Sequence, residues 1–349
     1  MLNIPQLKKL LRKIIGDKLY TYLKDAIIWL TYERIHVKRA LGDKYSDCEH
    51  VSRLKADIRL CRKAYGTDIS DYFTFDFLNK SSEEKGQYVT EESRFKYYKI
   101  LNKRENDNVF NDKYRTYIKF QPFYLREVVL LSDASDKSKY YEFIKKNPCF
   151  VAKTCYGASG KGVSVVIVEE GKERSVFKKL VQKMPLVLEE RIIQKDSIAV
   201  FHQKSINTCR ITTILYDDCC HVINPAIRIG RGDSIVDNAG AGGLYAPIDA
   251  KTGKILQDAF DIYGHRYRKH PESNIVFKGF IVPEWEGALA LVEKLCRVVP
   301  TNRFTGWDLA LSDKGWIMVE GNCLAQFKNI QASGGVKEMM DSICEYVMS

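Results

Sequence analysis

The sequence predicts an α+β protein, helical first and sheet-rich later, and three observations carry that expectation. Up to about residue 65, apolar residues recur at spacings of three and four. After about Asn147, short β-type runs alternate with glycine turns. Near the end, Asp308–Leu311 and Trp316–Glu320 flank the turn Ser312–Gly315 and read as a hairpin.

A chain of 349 residues suffices for about two domains, and its 45% hydrophobic and 28% charged residues are those of a globular protein. The net charge of +11 is concentrated near the start, where residues 1–66 hold 15 Lys and Arg against 7 Asp and Glu. A basic partner surface belongs there. Ten cysteines include no C-x-x-C pair, and six histidines form no H-E-x-x-H spacing, which argues against zinc and for reduced thiols in a cytoplasm. The apolar run Ala26–Leu30 is far short of the roughly 20 residues a membrane span needs, and no signal-peptide core is visible.

The first stripe runs through Leu7, Leu10, Leu11, Ile14, Ile15, Leu19, Tyr22, Leu23, Ala26, Ile27 and Leu30, with Lys8, Lys9, Arg12 and Lys13 off it and Gly16 interrupting it. Packing on the rest of the protein is the favoured expectation for this face, because most amphipathic helices of globular chains face a core. The alternative is a basic helix on an anionic membrane surface, using residues 1–30. A second helix is expected from Cys48 to Tyr65, ended by Gly66. Tyr72, Phe73, Phe75, Phe77, Tyr88, Phe95, Tyr97 and Tyr98 are interleaved with Lys and Arg, a pattern that can stack bases. No nucleic-acid module accompanies them, so aromatic core packing is expected and nucleic acid is not. Phe150–Ala152 and Val163–Val168 read as strands around a Gly/Ser loop, and Leu186–Leu188 as another. Thr208–Tyr216 alternates in β fashion, Ile229–Gly243 is glycine-dense, and Pro283–Val298 reads as a helix.

Two segments carry chemistry. In Lys153-Thr-Cys-Tyr-Gly157-Ala-Ser159-Gly160-Lys161-Gly162, small residues between two strands let backbone N–H groups approach phosphate, with Lys153 as a cation. The segment is not a P-loop, because Gly162 stands where Ser or Thr must hold magnesium. In the terminal hairpin, Asp308 begins one strand while Glu320 and Asn322 end the other. Pairing brings three oxygen donors to one end of the sheet, a set that suits magnesium.

These segments, in this order, resemble the ATP-grasp superfamily over roughly residues 70–335, and specifically its sugar-transfer-associated branch. The resemblance implies an ATP-grasp fold, two α+β lobes clasping ATP, preceded by a basic helical N-terminal region. The implied divisions are 1–104, a nucleotide lobe at 105–192 and a catalytic lobe at 193–349. Lys113, in Asn111-Asp112-Lys113, resembles the first nucleotide lysine and Lys153 the second. Gly157, Ser159 and Gly160 fall in the glycine lid, while Glu189, Glu190 and Ile192 fall in the hinge that holds adenine. Asp308, Glu320 and Asn322 match the metal triad, for magnesium or manganese. Ser205–Arg210, Ala226–Gly230 and Val236–Gly243 resemble motifs of the branch. Arg210 and Arg228, on neighbouring strands, can clamp phosphoryl oxygens or a substrate carboxylate. Gly306 departs from several ligases of the superfamily that carry arginine two residues before the metal aspartate, and Arg210 or Arg228 is expected to substitute. Asp196 is the candidate ribose acid.

The implied activity is an ATP- and magnesium-dependent carboxylate–amine ligase working through an acyl phosphate. Its substrates would be a sugar acid, amino acid or amine of surface polysaccharide synthesis, at the inner face of the membrane. The rival readings are a phosphotransferase acting on a glycan hydroxyl, and a basic adaptor with a vestigial nucleotide site.

Overall fold

The computed structural model describes residues 17–157 and 162–349. The start of the amphipathic stripe, Leu7–Gly16, and the lid residues Ser159 and Gly160 lie outside the described residues.

Helix α1 (Asp17–Leu41) leads to α2 (Cys48–Tyr65), which has the expected bounds. Asp47 caps α2 by accepting from His50 N at 3.0 Å, and Gly66 ends it in the left-handed region at φ 70°. Val51, Leu54, Ile58 and Cys61 bury one face of α2 against α3 (Ile69–Thr74) and the aromatics Tyr72, Phe75, Phe77 and Tyr88. Tyr97 and Tyr98, on α4 (Arg94–Leu101), are also buried, whereas Phe95 is exposed. These rings therefore form core rather than a base-stacking surface.

For the described part of the first stripe, the favoured packing is corrected. Leu19, Leu23, Ile27 and Leu30 are all exposed, and among the described residues the buried ones of α1 are Glu33, His36 and Val37 near its C-terminal end. Buried Glu33 accepts from Arg59 at 3.0 and 2.8 Å. Among the described residues the helix meets the body through Trp29, which packs on this core under Arg59 and Arg62, and through its last turns.

Helix α5 (Lys113–Phe120) follows, then strand β1 (Val128–Leu131), α6 (Lys137–Lys146), β2 (Cys149–Thr154), β3 (Val163–Ile167), α7 (Glu173–Val181) and β4 (Leu186–Glu190). The four strands form an antiparallel sheet of order β1-β4-β2-β3. Phe150, Ala152, Leu186 and Leu188 bury one face under Tyr140, Phe143, Phe177 and Leu180 of α6 and α7. By the period of two, Lys153 and Glu189 point to the other face. The sheet-rich part is thus interleaved with helices, which the short β-type runs did not reveal.

The second sheet contains β5 (Thr208–Tyr216), β6 (Cys219–Ile229), β7 (Leu244–Pro247), β8 (Ala259–Phe260) and β9 (Arg266–Tyr267). After α8 (Trp285–Cys296) it is completed by β10 (Phe304–Ser312) and β11 (Gly315–Asn322), and α9 (Phe327–Ile330) and α10 (Lys337–Met348) close the chain. The order is β11-β10-β5-β6-β7-β8-β9, antiparallel throughout. The expected alternation in β5 does not separate core from solvent, because Thr208–Leu215 is buried at every position. Cys209, Ile211, Leu309 and Leu311 pack on one face with Ala288, Val292 and Leu295 of α8. On the opposite face Ile214 and Phe304 are covered by Tyr98, Phe327 and Met340. That same face turns polar further along β5 and β10, at Thr208, Arg210 and Asp308.

Candidate active site

Strand register assembles the triad. Asp308 of β10 pairs with Glu320 of β11 on one side and with Arg210 of β5 on the other, while Asn322 pairs with Gly306. Directly opposed residues of antiparallel strands share a face. Asp308, Glu320, Asn322, Arg210 and Thr208 therefore share one, and Arg228 of β6 joins them opposite Thr208.

Asp308 is buried and takes both arginines. Arg210 donates to it from Nε and from Nη2, the latter at 2.9 Å, and Arg228 Nη2 lies 2.9 Å from Oδ2. Burial alone would raise the Asp308 carboxyl, yet the two guanidinium groups hold it below the usual carboxylate range. Arg228 is itself aimed by Thr208, whose hydroxyl accepts from Nε at 3.1 Å and Nη2 at 2.9 Å. The Thr208 hydroxyl in turn donates to buried Asp237, which also accepts from Thr208 N at 3.0 Å.

Gly306 makes room for the Arg210 side chain. A Cβ there would stand 2.8 Å from Ala325 Cβ and 3.3 Å from Arg210 Cδ. The Arg210 stem occupies the space above Gly306 and reaches Asp308 from the neighbouring strand.

The opposite wall carries the lysines. Asp112 caps α5 by accepting from Tyr114 N at 2.9 Å and Arg115 N at 3.1 Å, which sets Lys113 at the first helical position. Lys113 Nζ donates to Gly157 O at 2.7 Å, and burial lowers its pKa. Lys153 Nζ lies 2.7 Å from Glu189 Oε1. Arg126 holds the other oxygen, Oε2, donating from Nε at 2.9 Å, with Nη2 in ion-pair distance at 2.8 Å. Burial would raise Glu189, but Lys153 and Arg126 together hold it at about 2. Glu190 points the other way, its side chain accepting from Glu127 N at 2.8 Å and Lys314 at 2.9 Å while its own N–H donates to Glu127 O at 2.8 Å. Ile192 is half-buried just beyond β4, and Asp196 is exposed. The lid is flanked by Gly157 at φ 114° and Gly162 at φ 78°. A Cβ at Gly162 would lie 2.5 Å from Thr154 Oγ1, so glycine is required there.

Arg126, Thr208 and Asp237 were not singled out individually from the sequence. Thr208 and Asp237 lay within motifs of the branch, a usable signal. Arg126 lies in a segment with no motif, and nothing local marks it.

The donor set fits a magnesium ion. Burial and the neighbouring charge of Asp308 raise the Glu320 carboxyl despite Lys153 and Lys113, a strain that a divalent cation relieves. Among the described residues, Asn322 Nδ2 is buried without a partner. Carboxylate and amide oxygens are the ligands magnesium prefers. A second acidic group, Asp68, Asp71 and Glu91, holds a lysine instead: Lys328 Nζ lies 2.9, 3.5 and 4.0 Å from the three carboxylates and ties α9 to the helical region.

One sheet presenting Lys153 beside Lys113 of α5, and a second presenting a carboxylate–amide triad, define the ATP-grasp architecture. The chain belongs to the sugar-transfer-associated ATP-grasp family, whose profile matches residues 92–345. Among solved structures it is similar to D-alanyl-alanine synthetase A from Vibrio cholerae (11% identity, 69% of this chain and 66% of that one, TM-score 0.44). It is also similar to the ATP-grasp ligase PsnB complexed with minimal precursor, Mg and ADP (11%, 71% and 62%, TM-score 0.42). D-alanine–D-alanine ligase from Helicobacter pylori is a third (14%, 68% and 60%, TM-score 0.41). The chain spans no more than 66% of the length of these three. No protein of curated function matches it by sequence.

Proposed function

We propose that the protein is an ATP-dependent carboxylate–amine ligase forming ADP and phosphate. The observation that carries this reading is the shared face of Asp308, Glu320, Asn322, Arg210 and Arg228, set against Lys113 and Lys153. Lys113 and Lys153 bind the phosphates of ATP, and backbone groups of Glu189–Ile192 meet the adenine. Asp308, Glu320 and Asn322 hold magnesium, which supplies charge neutralisation to the phosphates when bound. A substrate carboxylate oxygen attacks the γ-phosphorus and ADP leaves. An amine then attacks the acyl phosphate carbonyl, phosphate leaves, and the amine gives up a proton. Arg210 and Arg228 orient the carboxylate and stabilise charge developing on the transferring oxygens. The lid 157–162 excludes water that would hydrolyse the acyl phosphate.

The family supports a sugar acid or an amino acid joined to a surface glycan precursor as the substrate pair, in the cytoplasm. The exposed residues Leu19, Leu23, Ile27 and Leu30, with Lys18, Arg34 and Lys38 on the same helix, support peripheral contact with an anionic membrane.

The test is a thermal melt with ATP, with and without magnesium, beside Glu320→Ala. A ligand at 100 times its Kd adds about 2.7 kcal/mol, a shift of a few degrees. The reading expects a magnesium-dependent shift that the variant loses, followed by ADP and phosphate release with the right acid and amine. ADP without free phosphate would make the protein a phosphotransferase. No shift at millimolar ATP would overturn nucleotide binding itself.

A further inference from the structure

We propose that Arg126 is a positioning residue for the nucleotide phosphates, acting through Lys153 by keeping the Lys153–Glu189 pair net cationic. The proposal rests on the nucleotide reading above and concerns a residue that reading does not use.

Lys153 paired with Glu189 alone is neutral, and a neutral pair attracts a polyphosphate weakly. Arg126 changes that balance. Glu189 gives one oxygen to each cation, Oε1 to Lys153 and Oε2 to Arg126, so the trio carries a net charge of +1. The side chains of Arg126, Glu189 and Lys153 are 2%, 6% and 14% exposed. Lys153 is thus the member of the trio most open to the cleft. Charges this buried are screened little, so one elementary charge matters more here than at the surface. Arginine suits the task because its guanidinium stays protonated when buried.

The same side chain joins the two sheets. Arg126 Nη1 donates to Met318 O at 2.7 Å and to Tyr124 O at 3.2 Å, and its Cζ stands 4.3 Å from the Tyr124 ring centre. Met318 precedes Glu320 by two residues on β11. These contacts hold the guanidinium in place against Glu189, so its charge stays beside the Lys153–Glu189 pair.

The experiment compares binding of metal-free ATP with binding of adenosine, which has the base and sugar but no phosphate. Full-length wild type, Arg126→Gln and Arg126→Lys are measured by calorimetry, with a melt to verify folding. Gln keeps hydrogen-bonding capacity and loses the charge; Lys keeps the charge and loses the fork. The expected result is a loss of ATP affinity of about tenfold or more in Arg126→Gln with adenosine within twofold, and recovery of most of that loss in Arg126→Lys. The double variant Arg126→Gln/Glu189→Gln has the same trio charge as wild type, and its ATP-to-adenosine ratio is expected to return to within twofold. It also carries the test if Arg126→Gln alone does not fold, because no carboxylate is left orphaned. Equal losses for ATP and adenosine, or an ATP affinity indifferent to the Gln substitution, would overturn the proposal and leave nucleotide binding standing. Wild type that binds neither ligand would instead sink the nucleotide reading and this proposal with it.

Discussion

Gly306 and Arg210 share one space. The missing side chain at 306 is where the Arg210 stem lies, with Cδ 3.3 Å from the position a Cβ would take, and from there its guanidinium grips Asp308. A small residue on one strand thus lets a neighbouring strand deliver the cation.

Gly306→Ala tests this exchange. The new methyl meets Ala325 Cβ at 2.8 Å as well as the Arg210 stem, so one of them must shift. Overpacking of this kind costs about 1–3 kcal/mol. The expected result is a lower melting temperature together with a larger proportional loss of ADP release, read from steady-state kinetics beside the melt.

Asp308→Ala removes the acceptor of two buried arginines. Breaking a buried pair by deleting one partner typically costs about 3–5 kcal/mol, because a charge is left uncompensated. Chemical denaturation should show destabilisation of that order. The double variant Asp308→Ala/Arg210→Met should recover part of it.

Acid should loosen the hinge through Glu189. Its folded pKa is depressed to about 2, so its stabilising contribution is present above the unfolded carboxyl value and is lost as pH falls towards 2. The contribution is on the order of 3 kcal/mol at neutral pH. Wild type should therefore be more stable than Glu189→Gln at pH 7, with the gap narrowing below about pH 4.5. Urea titrations of both proteins across that range check the slope.

Paired substitutions on α1 separate stability from surface contact. Leu23 and Ile27 are 42% and 63% exposed, so Leu23→Glu/Ile27→Glu should leave the melting temperature within about a degree. The same protein should lose co-sedimentation with vesicles containing anionic lipid. A collapse of the melt would instead show that this face is packed.

Local chemistry made the ends of α2 readable. Asp47 and Gly66 satisfy helix termini by interactions only a few residues long, so their spacing in the chain carries the information. The terminal hairpin was readable for the same reason, and with it the nearness of Asp308, Glu320 and Asn322. The helices α6 and α7 between the first strands were missed, although Tyr140, Phe143, Phe177 and Leu180 bury one side of them. Their short runs resemble strand or loop until the sheet they cover is known.

The amino-acid sequence by itself determined the α+β class, the family and the nearness of Asp308, Glu320 and Asn322, because each is set by residue type and short-range order. Only the tertiary structure decided the rest. It turned Glu189 into the cleft and Glu190 away, a choice that follows from strand pairing. It brought Arg126 to Glu189 across 63 residues and to Met318 across 192. It left Leu19, Leu23, Ile27 and Leu30 of α1 exposed. Contacts that distant depend on how two sheets meet, and spacing along a chain holds no record of that meeting.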